Sequence, residues 1–171
     1  MLIRPENPSD HAGISKVNDE AFGQPNEGRM VSDLRKNPRF VSDLSLVAEK
    51  DGQVVGHILF FPILISTPSG NVDSLSLAPV SVLSRYQGQG IGSALIRAGI
   101  AEAKQLGYTS IIVLGYSDYY PMFGFKPANQ WNIRCPYDAP DEAFMALELV
   151  EHSLDIGEGM VVYPSEYNDA A

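Results

Sequence analysis

Cysteine occurs once in the 171 residues, at Cys135, so the chain cannot close a disulfide on itself. No CxxC pair is present, and His11, His57 and His152 stand far apart, so no metal-ligand spacing can be read and no metal is expected. Basic residues are scarce: 12 Lys and Arg face 21 Asp and Glu, a formal net charge of −9. That balance excludes a general nucleic-acid binder, whose phosphate contacts need clustered cations, and a surface drawn to anionic lipid. Long apolar runs are missing too. The longest, His57 to Ile65, is interrupted by Pro62 and is too short to span a bilayer. The opening Met1-Leu-Ile-Arg-Pro-Glu6 puts charge where a leader peptide needs an apolar run. The expectation is a reduced, cytoplasmic setting with neither membrane nor nucleic-acid partners.

What is present describes a globular protein. Hydrophobic residues make up 44% and charged residues 19% of the chain, far from a disordered composition. A chain of this length forms one domain and buries roughly two-thirds of its unfolded surface without a covalent staple. Ile3-Arg4-Pro5 reads as a short first strand. Asn7-Pro8-Ser9-Asp10 can cap a helix whose apolar stripe is Ile14, Val17 and Phe22. A second helix is expected from Glu27 to Lys36, ending before Pro38. Leu44–Glu49 and Gln53–Ile65 are apolar runs joined by Asp51-Gly52, a strong hairpin signal. Ser69-Gly70-Asn71 makes the next turn, giving a meander of antiparallel strands.

The third strand of that meander changes phase. Leu75 and Leu77 share one face by period two, while Val80 and Val82 share the other, and Ala78-Pro79 lies at the slip. A slip of one residue at a proline predicts a β-bulge, which frees backbone groups for a ligand. Directly after it, Arg85-Tyr-Gln-Gly-Gln-Gly-Ile-Gly-Ser93 leads into a helix. Leu95, Ile96, Ile100, Ala103 and Leu106 form its apolar face, Ser93, Arg97 and Lys104 a polar stripe, and Gly107 its C-terminal cap. Glycines before a helix N-terminus let an anion approach unpaired N–H donors and the positive end of the dipole. The P-loop pattern fails because no Gly-Lys-Ser/Thr follows. The dinucleotide pattern GxGxxG fails because Ser93 stands where its third glycine belongs.

The pattern Q/R-x-x-G-x-G/A fits in full as Gln87-Gly-Gln-Gly90-Ile-Gly92. Arg85-Tyr-Gln-Gly88-Gln-Gly90 is a second register; the first places Pro79-Val-Ser-Val82 at the usual distance upstream. A second specific segment is Ser110-Ile-Ile-Val-Leu114, a buried parallel strand, followed by Gly-Tyr-Ser-Asp-Tyr-Tyr-Pro-Met-Phe-Gly-Phe125. Its Tyr120, Gly124 and Phe125 form Tyr-x-x-x-Gly-Phe, on a short helix capped by Asp118 or Ser117 and ended by Gly124. With Ile-Arg-Pro at the start and Val-Gly-His-Ile in the third strand, the chain resembles, over nearly its whole length, the GNAT superfamily of acetyl-CoA-dependent N-acetyltransferases, in particular a bacterial branch of predicted acetyltransferases.

The resemblance implies an α/β fold with a mixed, mostly antiparallel sheet, helices on both faces and a bulged central strand. It spans a single domain at residues 1–167, with residues 168–171 as a disordered tail. It implies acetyl-CoA as cosubstrate, its pantetheine arm against Val80, Ser81 and Val82 and its pyrophosphate on the loop Gln87, Gly88, Gln89, Gly90, Ile91, Gly92 and Ser93. It implies Tyr120 as the acid that protonates the leaving thiolate, with Tyr119 packing the short helix. The acceptor is expected to be a primary amine of a small molecule or peptide, attacking the thioester directly. A sensing module without catalysis, a longer acyl group and a hydroxyl acceptor stay open, as does the oligomeric state, for which a homodimer is one candidate.

The general base departs from better-known members of the superfamily. Where some place a glutamate on the bulged strand this chain has Ser76, leaving Asp73, His57 or water. A histidine inside Val-Val-Gly-His-Ile-Leu reads first as a hydrogen-bonded sheet residue. Cys135, with no neighbouring histidine and followed by Pro136, reads as structural. Arg85, Arg97 and Lys126 are candidate charge support for the phosphates. Beyond Pro127, strands are expected at Phe144–Val150 and Gly159–Tyr163, and Asp141, Glu142 and Glu148 read first as a solvated acidic face.

Overall fold

The computed structural model describes residues 1–169. Among them are nine strands: β1 (Leu2–Pro5), β2 (Ser45–Lys50), β3 (Gln53–Thr67), β4 (Gly70–Val82), β5 (Ser110–Leu114), β6 (Lys126–Pro127), β7 (Ile133–Arg134), β8 (Phe144–Glu148) and β9 (Gly159–Val162). The three α-helices are α1 (His11–Phe22), α2 (Asn26–Arg35) and α3 (Ile91–Gln105). The sheet runs β1-β2-β3-β4-β5-β8-β6, with β9 paired to β3 and β7 paired to β9. β4–β5 and β7–β9 are parallel; β1–β2, β2–β3, β3–β9, β5–β8 and β6–β8 are antiparallel. No helix among the described residues is long and apolar enough to cross a membrane.

The chain forms two compact units, and β3 and β4 give residues to both. The first holds residues 1–61, 78–102 and the segment from Ser165 onward. Its hairpin turn is the expected one: Asp51 and Gly52 both have positive φ, as the tight turn matching strand twist requires. Ala48 pairs with Gly56 but Glu49 with Val54, so Val55 is an extra residue in β3. Neighbouring residues of β2 point to opposite faces, and therefore so do Val54 and Gly56. α1 passes Val54 at Gly13, and α3 lays Ile91 and Leu95 over Gly56. Helices thus cover both faces of this stretch of sheet.

α3 lies very close to β3. A Cβ on Gly99 would stand 1.9 Å from Cε1 of Phe60, itself fully buried. At the N-terminus, Asn7 and Asp10 form a capping box on a 3-10 turn at Pro8–Asp10, and α1 follows. Its buried residues are Ile14, Val17 and Asn18, whereas Phe22 is 43% exposed, so the expected stripe ends one turn early.

The second unit holds residues 62–77 and 103–164. Ile63, Ile65, Ile112, Ile133, Phe144, Leu154 and Val161 form its core, with Cys135 and Trp131 packed against it. The two-residue strands β6 and β7 were not expected from the sequence, being too short for any periodicity. Neither Asp118 nor Ser117 caps the short 3-10 helix Tyr120–Phe123: its N-cap is Tyr119, without a side-chain bond, and Tyr119 and Tyr120 N–H both donate to Tyr116 O. Gly124 ends it as expected, at φ 100°. At the other end of the chain, Asn168 and Asp169 belong to a 3-10 helix, Ser165–Asp169, rather than to a disordered tail; Ala170 and Ala171 lie outside the described residues.

Alanine is the better helix former by about 1 kcal/mol, yet overpacking a core contact costs about 1–3 kcal/mol. Gly99→Ala is therefore expected to lower stability in urea denaturation, and Phe60→Leu, which removes the opposing ring edge, to recover part of the loss in the double variant. A stabilised Gly99→Ala protein would contradict the close packing of α3 on β3.

Candidate active site

In the first unit, the end of β4, the glycine loop and the start of α3 form one braced structure. The phase slip falls on a cis Ala78–Pro79 bond. Before it, residues 74–77 are all buried; from Leu77 onward burial alternates, with Leu77, Pro79 and Ser81 buried and Ala78, Val80 and Val82 half-buried. Ser81 Oγ has no hydrogen-bond partner among the described residues and faces inward, so Ser81 presents its backbone rather than its hydroxyl.

Three bonds then hold the turn after β4. Ser84 N–H donates to Glu20 Oε2 (2.8 Å), the Arg85 guanidinium to Gln53 Oε1 (2.8 Å), and the Gln87 amide to Val82 O (3.0 Å). Gln87 therefore acts as a brace for the loop, and Gln89 Nε2 reaches back to Arg85 O (3.4 Å). Arg85 and Lys50 both lie against the Tyr86 ring, 5.1 and 5.4 Å from its centroid.

Gln87 to Gly90 are exposed. Gly88 and Gly90 take φ of 75° and 82°, a conformation side chains rarely adopt, and nothing stands within 4 Å of where their Cβ atoms would be. Ala94 N–H makes the first bond of α3, to Gly90 O, so the amides of Gly90, Ile91 and Gly92 have no carbonyl of the helix to donate to. The Ile91 side chain is buried over Gly56, leaving only its backbone for a ligand. An exposed glycine loop with amides at the positive end of a 15-residue helix suits a polyphosphate.

In the second unit, Tyr120 is 6% exposed. Its ring meets Tyr119 edge-on (5.3 Å between centroids) and Phe125 likewise (5.7 Å). Burial, with Tyr119 and Tyr116 nearby, pushes its phenol up to about 12. Tyr119 packs between Tyr120 and Phe123, as expected of a structural residue. Of the base candidates, Asp73 is exposed on β4; Ser76, which stands where some members have a glutamate, is buried.

His57 is not available as a base. It is fully buried, with Asn18 Nδ2 donating to Nδ1 (3.2 Å) and Nε2–H donating to Ser45 Oγ (3.0 Å). Ser45 in turn donates to Glu6, which Arg35 (2.8 Å) and His11 (3.0 Å) also hold. Burial, joined by Arg35 and opposed by Glu6, pushes the imidazole down to about 4. Cys135 is half-buried; burial pushes its thiol up, against a bond from Tyr137 N–H, so the nucleophilic thiolate is disfavoured. Among the residues that sequence reasoning missed are Glu20 and Gln53, whose polar side chains carry no pattern until the turn folds onto them.

Residues 13–125 match the acetyltransferase (GNAT) family. The chain belongs to that family. It is 32% identical to the N-acetyltransferase YhbS of Escherichia coli over 169 residues, covering 98% of this chain and 99% of the relative. It is 39% identical to the Escherichia coli N-acetyltransferase YjhQ over 138 residues, covering 78% and 75%. The crystal structure of YhbS in complex with CoA superposes at a TM-score of 0.89 over 98% of this chain and 91% of that one. A GNAT family acetyltransferase from Brucella melitensis in complex with acetyl-CoA, 37% identical, superposes at 0.80 over 97% of both chains. The GNAT fold and the acyltransferase class are thereby established.

An unfolded histidine takes up a proton below about pH 6.5, whereas His57 in the folded state does so only near pH 4. The unfolded state therefore binds the proton first, and stability falls as pH drops, by about 2 kcal/mol between pH 7 and pH 5. Urea denaturation across that range should show the fall in the wild type and a flatter profile in His57→Gln. Turnover of folded His57→Gln is expected within about threefold of wild type; a loss typical of a missing base, about a hundredfold or more, would return His57 to the catalytic set.

Proposed function

We propose that this protein transfers an acetyl group from acetyl-CoA to a primary amine of a small molecule or peptide by direct attack. The observation that carries the reading is the pair of positive-φ glycines, Gly88 and Gly90, opening the α3 N-terminus onto free space directly after β4. The residues present suit a CoA ligand: without side chains at 88 and 90 the loop backbone is open to a pyrophosphate. In YhbS and the Brucella protein the bound ligands are CoA and acetyl-CoA, which supports the same ligand here.

Acetyl-CoA supplies the thioester that is cleaved. Gln87 braces the loop, while the amides from Gly88 through Ser93 hold the pyrophosphate, with Arg85, Arg97 or Lys126 as charge support. The backbone of Val80, Ser81 and Val82 receives the pantetheine amides as an added strand would, and Val80 N–H polarises the thioester carbonyl as charge develops on its oxygen. Tyr120 donates a proton to the departing thiolate. Asp73, exposed on β4, or water accepts the proton that an ammonium acceptor must lose. The net charge of −9 favours cationic acceptors by raising their local concentration.

The experiment that tests the function is a panel of amines assayed for thiol release from acetyl-CoA; release without any acceptor dependence would defeat amine transfer. Tyr120→Phe is expected to keep acetyl-CoA affinity and to lower kcat by up to about a hundredfold. Equal turnover would remove Tyr120 from the chemistry. Gly90→Val is expected to abolish acetyl-CoA binding in calorimetry while the fold persists, since the loop is exposed; undiminished binding would shift the phosphate site elsewhere.

A further inference from the structure

Tyr120 is useful as a proton donor only if its hydroxyl is held in one place, and the short 3-10 helix that carries it has no side-chain cap to fix it. The ring is instead seated from below. Gly115 lies where β5 ends, just past the last ladder pair Leu114–Phe144, and its N–H donates to Ala143 O (2.9 Å). A Cβ built on Gly115 would stand 2.5 Å from Cε2 of Tyr120, 3.1 Å from Cδ2 and 3.5 Å from Cζ, the carbon bearing the hydroxyl. Phe125, fully buried, meets the ring from another direction, and Tyr119 closes a third. Gly115 is outside the left-handed region, so its backbone accepts alanine without strain and the absence of a side chain has no conformational reason. Its reason is the ring.

We infer that Gly115 is a positioning residue for the acyl transfer: by lacking a Cβ it lets the Tyr120 ring settle on the end of β5, which fixes the place of its hydroxyl. The inference rests on the reading of Tyr120 as proton donor. In the step concerned, the amine nitrogen forms the C–N bond and the C–S bond breaks. The sulfur takes the phenolic proton, and the phenolate regains one from the acylated nitrogen, which sheds it as the amide forms, or from water. Carbon atoms pack at about 3.5–4.0 Å, so a Cβ at residue 115 must displace the ring by about 1 Å. A misplacement of that size can lower a catalysed rate by up to about a hundredfold.

The test is a double-variant cycle, with enzyme-dependent thiol release from acetyl-CoA read with hydroxylamine as surrogate acceptor. Phenylalanine keeps the ring and its clash and lacks only the hydroxyl. Gly115→Ala is expected to lower kcat about 10- to 100-fold in the wild type, with acetyl-CoA affinity in calorimetry held within about threefold, and to lower it less than about twofold in the Tyr120→Phe background. Equal losses in both backgrounds, or none in the wild type, would overturn the inference and leave Tyr120 as donor. An unchanged rate in Tyr120→Phe alone would overturn the donor reading and the positioning role with it. A readout free of turnover is NMR of ring-labelled tyrosine with CoA bound. The resonance that Tyr120→Phe removes should move in Gly115→Ala, and a resonance that stays put overturns the seat. Should Gly115→Ala fail to fold, Gly115→Ala/Tyr120→Leu, which removes the clashing Cε2, should restore a cooperative melt; no recovery would locate the clash elsewhere and defeat the inference.

Discussion

Helix α3 can lie where it does only because Gly56 of β3 and Gly99 of the helix carry no side chains. At residue 56 a Cβ would meet Ile91, Leu95 and the carbonyl of Ser81 at 3.1 to 3.3 Å; at residue 99 it would enter the ring of Phe60. This close approach constrains the neighbouring chain. The helix start is brought beside the end of β4, so the backbone between Val82 and Ile91 must turn within a short distance. Left-handed backbone at Gly88 and Gly90 makes that turn, and the bonds from Ser84, Arg85 and Gln87 fix it. The outcome is a row of amides directed away from the protein at the end of a helix dipole. An acidic protein can therefore offer a polyphosphate site without a cluster of cations, since the attraction comes from backbone dipoles in fixed positions.

The other face of β3 shows why His57 is poorly placed to exchange protons with a substrate. A histidine in an apolar strand must satisfy two ring nitrogens out of reach of water. Asn18 and Ser45 do so, and Glu6 and Arg35 carry the chain of bonds onward. Burial alone would push the Glu6 carboxyl up, but bonds from Arg35 and Ser45 outweigh it and hold Glu6 below its usual range. The network ties β2, β3, α1 and α2 together through groups already hydrogen-bonded to one another. Such a network specifies one arrangement of the core and is poorly suited to exchanging protons with a substrate. Its single defect is Asn18 Oδ1, which has no partner among the described residues.

How much of this is legible in the sequence depends on range. The hairpin at Asp51-Gly52, the extent of α3, the parallel strand at 110–114 and the αL cap at Gly124 all rest on local stereochemistry, and all appear where local rules put them. The glycine loop is legible for the same reason: positive φ at alternate residues before a helix has few residue solutions. The extra residue at Val55 is not legible, because it arises from pairing with a different strand. Neither is the role of Glu20, Gln53 or Gly115, each of which matters only through a neighbour brought in by folding. Phe22 shows the opposite failure: its helical spacing is right, but it is the last residue of α1, before the cap at Gly23, and stays 43% exposed.

The burial that seats Tyr120 also sets the kind of acid it can be. A phenol pushed up to about 12 stands about 3.5 units above an ordinary thiol, so complete proton transfer to a thiolate runs uphill by about 5 kcal/mol. On the proposed reading, then, Tyr120 does not hand over its proton ahead of bond breaking. It acts as a hydrogen-bond donor that strengthens as charge accumulates on sulfur, and the proton follows only as the C–S bond gives way. The low-dielectric surroundings that raise the pKa also strengthen that bond, because little water competes for it. A donor of this kind contributes through placement more than through acidity. Placement, in turn, depends on what lies beneath the ring. On that reading the absence of a side chain at Gly115 and the aromatic at Phe125 bear on the reaction through the hydroxyl that they hold.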